Sequence, residues 1–259
     1  MTGKTLAAKA AEPTDAGTTG AAPLVVNALC AGAAQGLLSA LQPGFQAQTG
    51  AALVARFGAV GALREALLAG EACDLLVVTD AMVLSLAHDG RLQPESRAPL
   101  GRVRTGMAVR EGDNAPDIST AVGLTRVLRA ASGIHYPDPL RATAGVHFVD
   151  VLRRLGLAEE LAPRCHTYPN GATAMRALAA SGGPADVGCT QVSEIMFTPG
   201  VRLIGSLPPG FELVTAYSAA LTQAAAQPEL ALALIALLAG EQTQALRDRC
   251  GFEPGAHGA

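Results

Sequence analysis

Apolar positions along the chain fall into short runs with two alternating rhythms. Residues 24–29 (LVVNAL) form a β-branched run that ends in the small-residue turn Cys30-Ala31-Gly32-Ala33-Ala34, after which Leu37, Leu38, Leu41 and Phe45 recur at helical spacing. The pattern predicts strand, tight turn and helix in that order. A second unit follows: a strand over 52–57 (ALVARF), the turn Gly58-Ala59-Val60-Gly61, and a helix carrying Leu63, Leu67 and Leu68. Residues 74–79 (DLLVVT) are almost continuously apolar, the mark of a parallel strand covered on both faces. The helix predicted over 81–88 then stops at Asp89-Gly90, a C-cap signal. Strands and helices alternating in this way predict an α/β fold with a parallel sheet and right-handed crossovers.

The rhythm changes at 102–109 (RVRTGMAV), which precedes the polar turn Glu111-Gly112-Asp113-Asn114. A second series is predicted beyond it: a helix over 120–130, a strand over 133–136, a turn at Pro137-Asp138-Pro139, a helix over 144–155, a strand over 165–168, a helix over 172–180 and a strand over 185–190. A returning strand over 213–221 and helices over 228–238 and 241–249 close the chain. A chain that crosses to a second lobe and comes back makes a two-lobed clamp with its cleft at the crossings. The expected division is lobe 1 from 24–103 plus 215–259 and lobe 2 from 107–212, joined by two crossing strands. Residues 1–23, rich in Ala, Gly and Thr without periodicity, are expected to be a disordered tail.

Composition narrows the function. Of 259 residues, 49% are apolar and 16% charged, which excludes a wholly disordered chain. A net charge of -3 and the lack of Trp remove the basic field and stacking platforms that nucleic-acid binders use. The only lysines are Lys4 and Lys9, so no Schiff-base lysine is available to the folded body. The most apolar run, 230–239, is half the roughly 20 residues that cross a bilayer, and no membrane insertion is expected. Five cysteines at irregular spacing fit free thiols in a reducing compartment, and the first 23 residues lack a signal-peptide core. The chain as written is therefore expected in the cytoplasm; a different start or a leader would place it in the periplasm.

Three small-residue turns lead into helices, at Ala31-Gly32-Ala33, at Gly58-Ala59-Val60-Gly61 and at Thr143-Ala144-Gly145. Such turns either present backbone N–H groups and a positive helix end to an anion, or are simply what a strand-to-helix turn prefers. Arg104 and Arg141, with Arg64 behind them, are candidates for gripping a carboxylate through the planar guanidinium fork, and surface arginines otherwise. His147 follows Thr143 within one helical turn and is either a general base beside a bound acid or a packed histidine. Cys30 lies in the first turn, where a helix N-terminus can activate a thiol, or serves as a small apolar filler. Glu194 is either a carboxylate base or an exposed helix-start glutamate. His135, His147 and His166 lack metal-ligand spacing, and no nucleotide or serine-hydrolase signature appears, so neither metal nor cofactor is expected.

The segments CAGAAQG, FGAVGALREALLAGEACDLLVVTDAMVLSLAHDG, PDIST, IHYPDPLRATAGVHFVDVLRRLGL, VGCTQVSEI and GFEP together resemble the type 2 periplasmic binding proteins, in their molybdate-binding-protein-like branch. The resemblance implies a two-lobed clamp that binds a small anionic ligand between its lobes and, if exported, hands it to an ABC transporter. It also reaches an enzyme of that group, an aconitate isomerase. Relatives often carry Ser-Ala-Gly-Ala where this chain has Cys30-Ala31-Gly32-Ala33, a serine-rich loop where it has Gly58-Ala59-Val60-Gly61, and a ligand-touching tyrosine where it has Gln191. Those departures imply an organic carboxylate in preference to a molybdate-type oxyanion. Two functions are therefore expected to compete: binding of a small anion, and cofactor-independent isomerisation of an unsaturated di- or tricarboxylate.

Overall fold

The computed structural model describes residues 24–255, and the tail expected over 1–23 lies outside the described residues. β1 (Val25–Ala31) runs through a 3-10 turn at Gly32–Ala34 into α1 (Gln35–Thr49). β2 (Ala52–Gly58), α2 (Val60–Leu68), β3 (Leu75–Thr79) and α3 (Asp80–His88) repeat that unit. The long β4 (Ala98–Arg110) crosses to the second series: α4 (Ala121–Ala130), β5 (Ile134–Pro137), α5 (Thr143–Arg154), α6 (Ala158–Leu161), β6 (Cys165–Tyr168) and α7 (Gly171–Ala180). β7 (Val187–Gln191), α8 (Val192–Phe197) and β8 (Val201–Ser206) complete it; β9 (Val214–Leu221), α9 (Pro228–Ala239) and α10 (Gln244–Arg249) return.

The strands join in the order β2-β1-β3-β9-β4-β7-β5-β6, with β8 also on β4. β1 is parallel to β2 and β3, and β5 is parallel to β6 and β7, as the crossover pattern requires. β3 is buried at its first four positions, consistent with cover on both faces. β4 changes partners midway. Ala98–Arg104 lies against β9, while Thr105–Ala108 lies against β7 and Gly106–Arg110 against β8. The return segment, 207–213, is stitched beside it: Leu207 N–H donates to Thr105 O at 3.1 Å and Thr105 N–H donates to Leu213 O at 2.9 Å.

Although the hydrogen-bonded path is unbroken, the apolar side chains form separate cores on either side of that crossing. Val26, Leu37, Leu63, Leu76, Val103, Leu234 and Phe252 belong to one. Met107, Leu124, Phe148, Leu161 and Leu207 belong to the other. The fold is thus a two-lobed α/β clamp with two crossings: β4 makes the first as one strand, and the second, expected as a strand, is the irregular segment 207–213, since β9 pairs only with β3 and the first half of β4. Three elements escape the sequence pattern: α6 and α8 have only four and six residues, too few to show a period, and β8 is partly exposed along its whole length. Among the described residues no helix is long and apolar enough to cross a membrane.

Candidate functional site

The C-terminal ends of five strands face one another across the lobe junction, the position where open α/β sheets hold ligands. The end of β1 contributes Ala31, Gly32 and Ala33, and that of β2 contributes Gly58, Ala59 and Val60. Pro137, Ala142, Thr143 and Ala144 follow β5, Asn170 and Gly171 follow β6, and Gln191 and Glu194 come from the end of β7. Tyr217 of β9 closes the set, around a free space of about 20 Å³. That is room for a water molecule, so a larger ligand enters only when the lobes part.

Among the described residues the lining contains no Lys, Arg or His. Positive potential comes instead from backbone. No side chain caps the helices that start after Ala31, Ala59 and Ala142, all alanines at the cleft wall. Their leading N–H groups therefore lack the hydroxyl or amide partner that Thr120 gives α4, through Gly123 N–H at 3.0 Å, and Asn170 gives α7, through Thr173 N–H at 2.9 Å. The mouth of the cleft is shut by direct contact. Gly61 N–H donates to Arg141 O at 3.0 Å, and a Cβ on Gly61 would stand 3.1 Å from that oxygen, so only glycine allows the approach without strain. Arg141 Nε also reaches Glu65 Oε1 at 3.2 Å across the same gap.

Glu194 is the ionisable carboxyl of the lining, and it is only 5% exposed. Thr190 donates its hydroxyl to Oε2 at 2.6 Å, and the N–H groups of Ala172, Gln191 and Gly171 also reach the carboxyl. Its seat is cut to shape by two glycines. A methyl group on Gly32 would run into Oε1, and one on Gly171 would run into Oε2 and the Thr190 hydroxyl. Burial pushes the Glu194 carboxyl above the ordinary range, and the Thr190 hydroxyl and the three N–H groups pull it back only in part. Beside it Gln191 is buried with Oε1 unpartnered, while Nε2 lies 3.4 Å from Thr215 Oγ1.

Ten of the residues singled out in the sequence thus meet in one cleft: Ala31, Gly32, Ala33, Gly58, Ala59, Val60, Thr143, Ala144, Gln191 and Glu194. Others are placed elsewhere. Gly61 forms the shut mouth, and Gly145 lets α5 press onto the end of β5, since a Cβ there would meet Asp138 O at 2.5 Å. Arg104 does not line the cleft; its Nε is bonded to Glu253 Oε1 at 2.7 Å. Arg141 contributes its backbone and an ion pair to the mouth, and Arg64 is exposed on α2. His147 Nε2 donates to the carbonyl of Phe211 at 2.8 Å, outside the lining. Cys30 lies fully buried behind the first turn, where burial pushes its thiol far up and keeps it protonated. The sequence reading missed Pro137, Ala142, Asn170, Gly171 and Tyr217. Asn170-Gly171 carried a signal, a capping residue and a glycine directly after a predicted strand.

A two-lobed α/β clamp with helix N-termini converging on an interlobe cleft is the architecture of the periplasmic binding proteins. The chain belongs to the bacterial extracellular solute-binding protein family, whose model matches residues 26–253. It is 27% identical over 234 residues to an aconitate isomerase from Pseudomonas sp, covering 88% of this chain and 87% of that protein. In fold it is similar to the Azotobacter vinelandii periplasmic molybdate-binding protein, with a TM-score of 0.72 and 21% identity over 89% of this chain and 99% of that one. The sulfate-binding protein SubI from Mycobacterium tuberculosis H37Rv gives a TM-score of 0.69 and 18% identity over 90% and 88% of the two chains.

Proposed function

We propose that the chain binds a small anion between its lobes, and that an organic carboxylate is preferred to a molybdate-type oxyanion. One observation carries the anion: helix starts without side-chain caps, at Ala31, Ala59 and Ala142, border one cleft. The preference for a carboxylate has narrower support. The first-lobe turns offer backbone and methyl groups but no hydroxyl to an oxyanion, and the relative at 27% identity is named for aconitate. Arg104 and Arg141 do not contribute to it. If the chain is exported, the closed, loaded clamp is what an ABC transporter would receive.

Thermal shift of the full chain against molybdate, sulfate, citrate, cis-aconitate and trans-aconitate tests this reading. A ligand at 100 times its Kd adds about 2.7 kcal/mol, a rise of several degrees in Tm. Carboxylates raising Tm while molybdate and sulfate leave it unmoved is the expected result; molybdate alone raising it would refute the carboxylate preference.

The isomerase is the second reading, favoured by the aconitate isomerase likeness and by a buried acid in the cleft. An allylic proton shift breaks one C–H bond, moves the double bond and forms another C–H bond, which needs one positioned acid–base group and no metal. Glu194 is that group in this reading, because it lines the cleft and His147 does not. NMR of a bound aconitate in deuterated water separates the two: an unchanged ligand marks a binder, and a ligand that exchanges or isomerises marks an enzyme.

A further inference from the structure

We propose that the anion enters this cleft together with one proton, which is held on Glu194 and turned toward the ligand. The proposal rests on the anion-binding reading and adds a rule for when binding occurs. Its ground is a conflict of charge in a fixed seat. An anion received in this cleft when the lobes part stands against the Glu194 carboxyl, and the lining, among the described residues, supplies no cationic side chain to separate the two. Like charges in contact force one group to neutralise or to leave.

Leaving is blocked by the way the carboxyl is seated. Gly32 and Gly171 fit against its two oxygens, and Thr190 with the N–H groups of Ala172, Gln191 and Gly171 holds it in place. Neutralisation needs no movement. Oε2, beside Gly171, keeps accepting from Thr190. Oε1, beside Gly32 at the first-lobe turn, carries the proton and donates it in a hydrogen bond to the ligand. Burial already favours the neutral form before any ligand arrives.

No neighbouring group takes that role. The Tyr217 phenol on β9 and the Cys30 thiol on β1 face the same region, and burial pushes both up, so both stay neutral. Of the elements packed on α8, α1 carries no charged residue. On β4, Arg104 is bonded to Glu253, Arg110 is paired with Asp113, and Arg102 pairs through its backbone with Glu253. Arg176 of α7 is bonded to the Thr173 hydroxyl, Arg202 of β8 to the Asp113 carbonyl, and burial keeps the Cys189 thiol of β7 protonated.

Titration calorimetry of the full chain with molybdate, sulfate and trans-aconitate, in pairs of buffers that differ in ionisation enthalpy, counts the protons. Wherever Glu194 of the free protein is ionised, on the alkaline side of its raised titration, any anion that binds should take up close to one proton, with affinity falling about tenfold per pH unit there. Glu194→Gln, which imitates the protonated acid, should bind without proton uptake and without that slope. Binding by the wild type with no proton uptake at a pH where NMR of the Glu194 carboxyl shows it ionised in the free protein overturns the proposal and leaves anion binding standing. A Glu194→Gln protein that keeps the slope overturns it equally, and if that variant does not fold, the wild-type proton count decides alone. Failure of all three anions to bind at any pH removes the anion reading, and this proposal with it.

Discussion

Asp186 and Glu194 are two carboxyls of the same chain, 4% and 5% exposed, and each is wedged between glycines: Gly133 and Gly183 around Asp186, Gly32 and Gly171 around Glu194. Their acidities move in opposite directions. Burial works to raise Asp186, but the hydroxyls of Ser181 and Ser132, the His135 ring and the Gly183 N–H outweigh it and hold the carboxyl below the ordinary range. Ser132 donates at 2.9 Å and His135 Nε2 stands 3.9 Å away. Glu194 has a comparable set of neutral donors, lies deeper and has no imidazole partner among the described residues, and burial wins. Equally small exposed area therefore does not mean equal depth: Asp186 lies just beneath the exposed turn at Pro184 and Ala185, and Glu194 lies deep in the lobe junction. The carboxyl with its partners complete lies away from the cleft and serves the fold, whereas the one left unbalanced lines the cleft.

The largest effect expected from breaking this contrast is on the Asp186 side. Asp186→Ala should lower folding stability by about 3 kcal/mol, because it removes a buried carboxylate together with its bonds to Ser132, Ser181, the Gly183 N–H and the His135 ring, and should leave anion affinity within a few fold. Urea unfolding and calorimetry check the two halves. The pH dependence carries the same contrast with its sign reversed. Asp186 has a folded pKa below its unfolded one, so its contribution is present above the unfolded value and is lost as pH falls through the folded one. Glu194 has a folded pKa above its unfolded one, so its contribution is full below the unfolded value and is lost as pH rises through the folded one. Unfolding midpoints across pH should accordingly show an acid limb that Asp186→Asn flattens and an alkaline limb that Glu194→Gln flattens. Both limbs responding to one variant would abolish the distinction.

A middle-sized effect comes from the glycines. Gly171→Ala and Gly183→Ala each place a methyl group against a carboxyl oxygen and should each cost about 2 kcal/mol by overpacking. Only Gly171→Ala should also weaken anion binding, by about tenfold or more, through displacement of Glu194. Equal binding losses in both would mean that the two seats are not separate. The smallest effect concerns the mouth. Glu65→Gln removes an exposed ion pair with Arg141, worth about 0.5 kcal/mol, and should change affinity about twofold and stability by no more than that amount.

Much of this architecture was legible in the residues because strand and helix periods are local. The turns at 31–33 and 58–60 could be read as the start of helices without side-chain caps, since alanine and glycine stand where a serine or threonine would cap. The arginines were misread for the opposite reason: Arg104 meets Glu253 across 149 positions and Arg141 meets Glu65 across 76, and neither pairing leaves a trace in spacing. His147 likewise finds its carbonyl 64 positions away. Glu194 showed the ordinary look of a helix-start acid. Its burial follows from α8, six residues pressed onto the lobe junction, and a helix that short displays no period from which a buried face can be read.

The shared strand β4 also sets the order in which the molecule can be made. The second lobe's core, from Met107 to Leu207, is complete in one stretch of chain, whereas the first lobe's core begins at Val26 and waits for Tyr217, Leu234 and Phe252. As the polypeptide emerges from the ribosome, the inserted lobe has all its partners while the lobe begun first still exposes one edge of β3, the place β9 will take. During that interval the strands of the first lobe are open to pairing with a neighbouring nascent chain, and the interval closes only when β9 arrives.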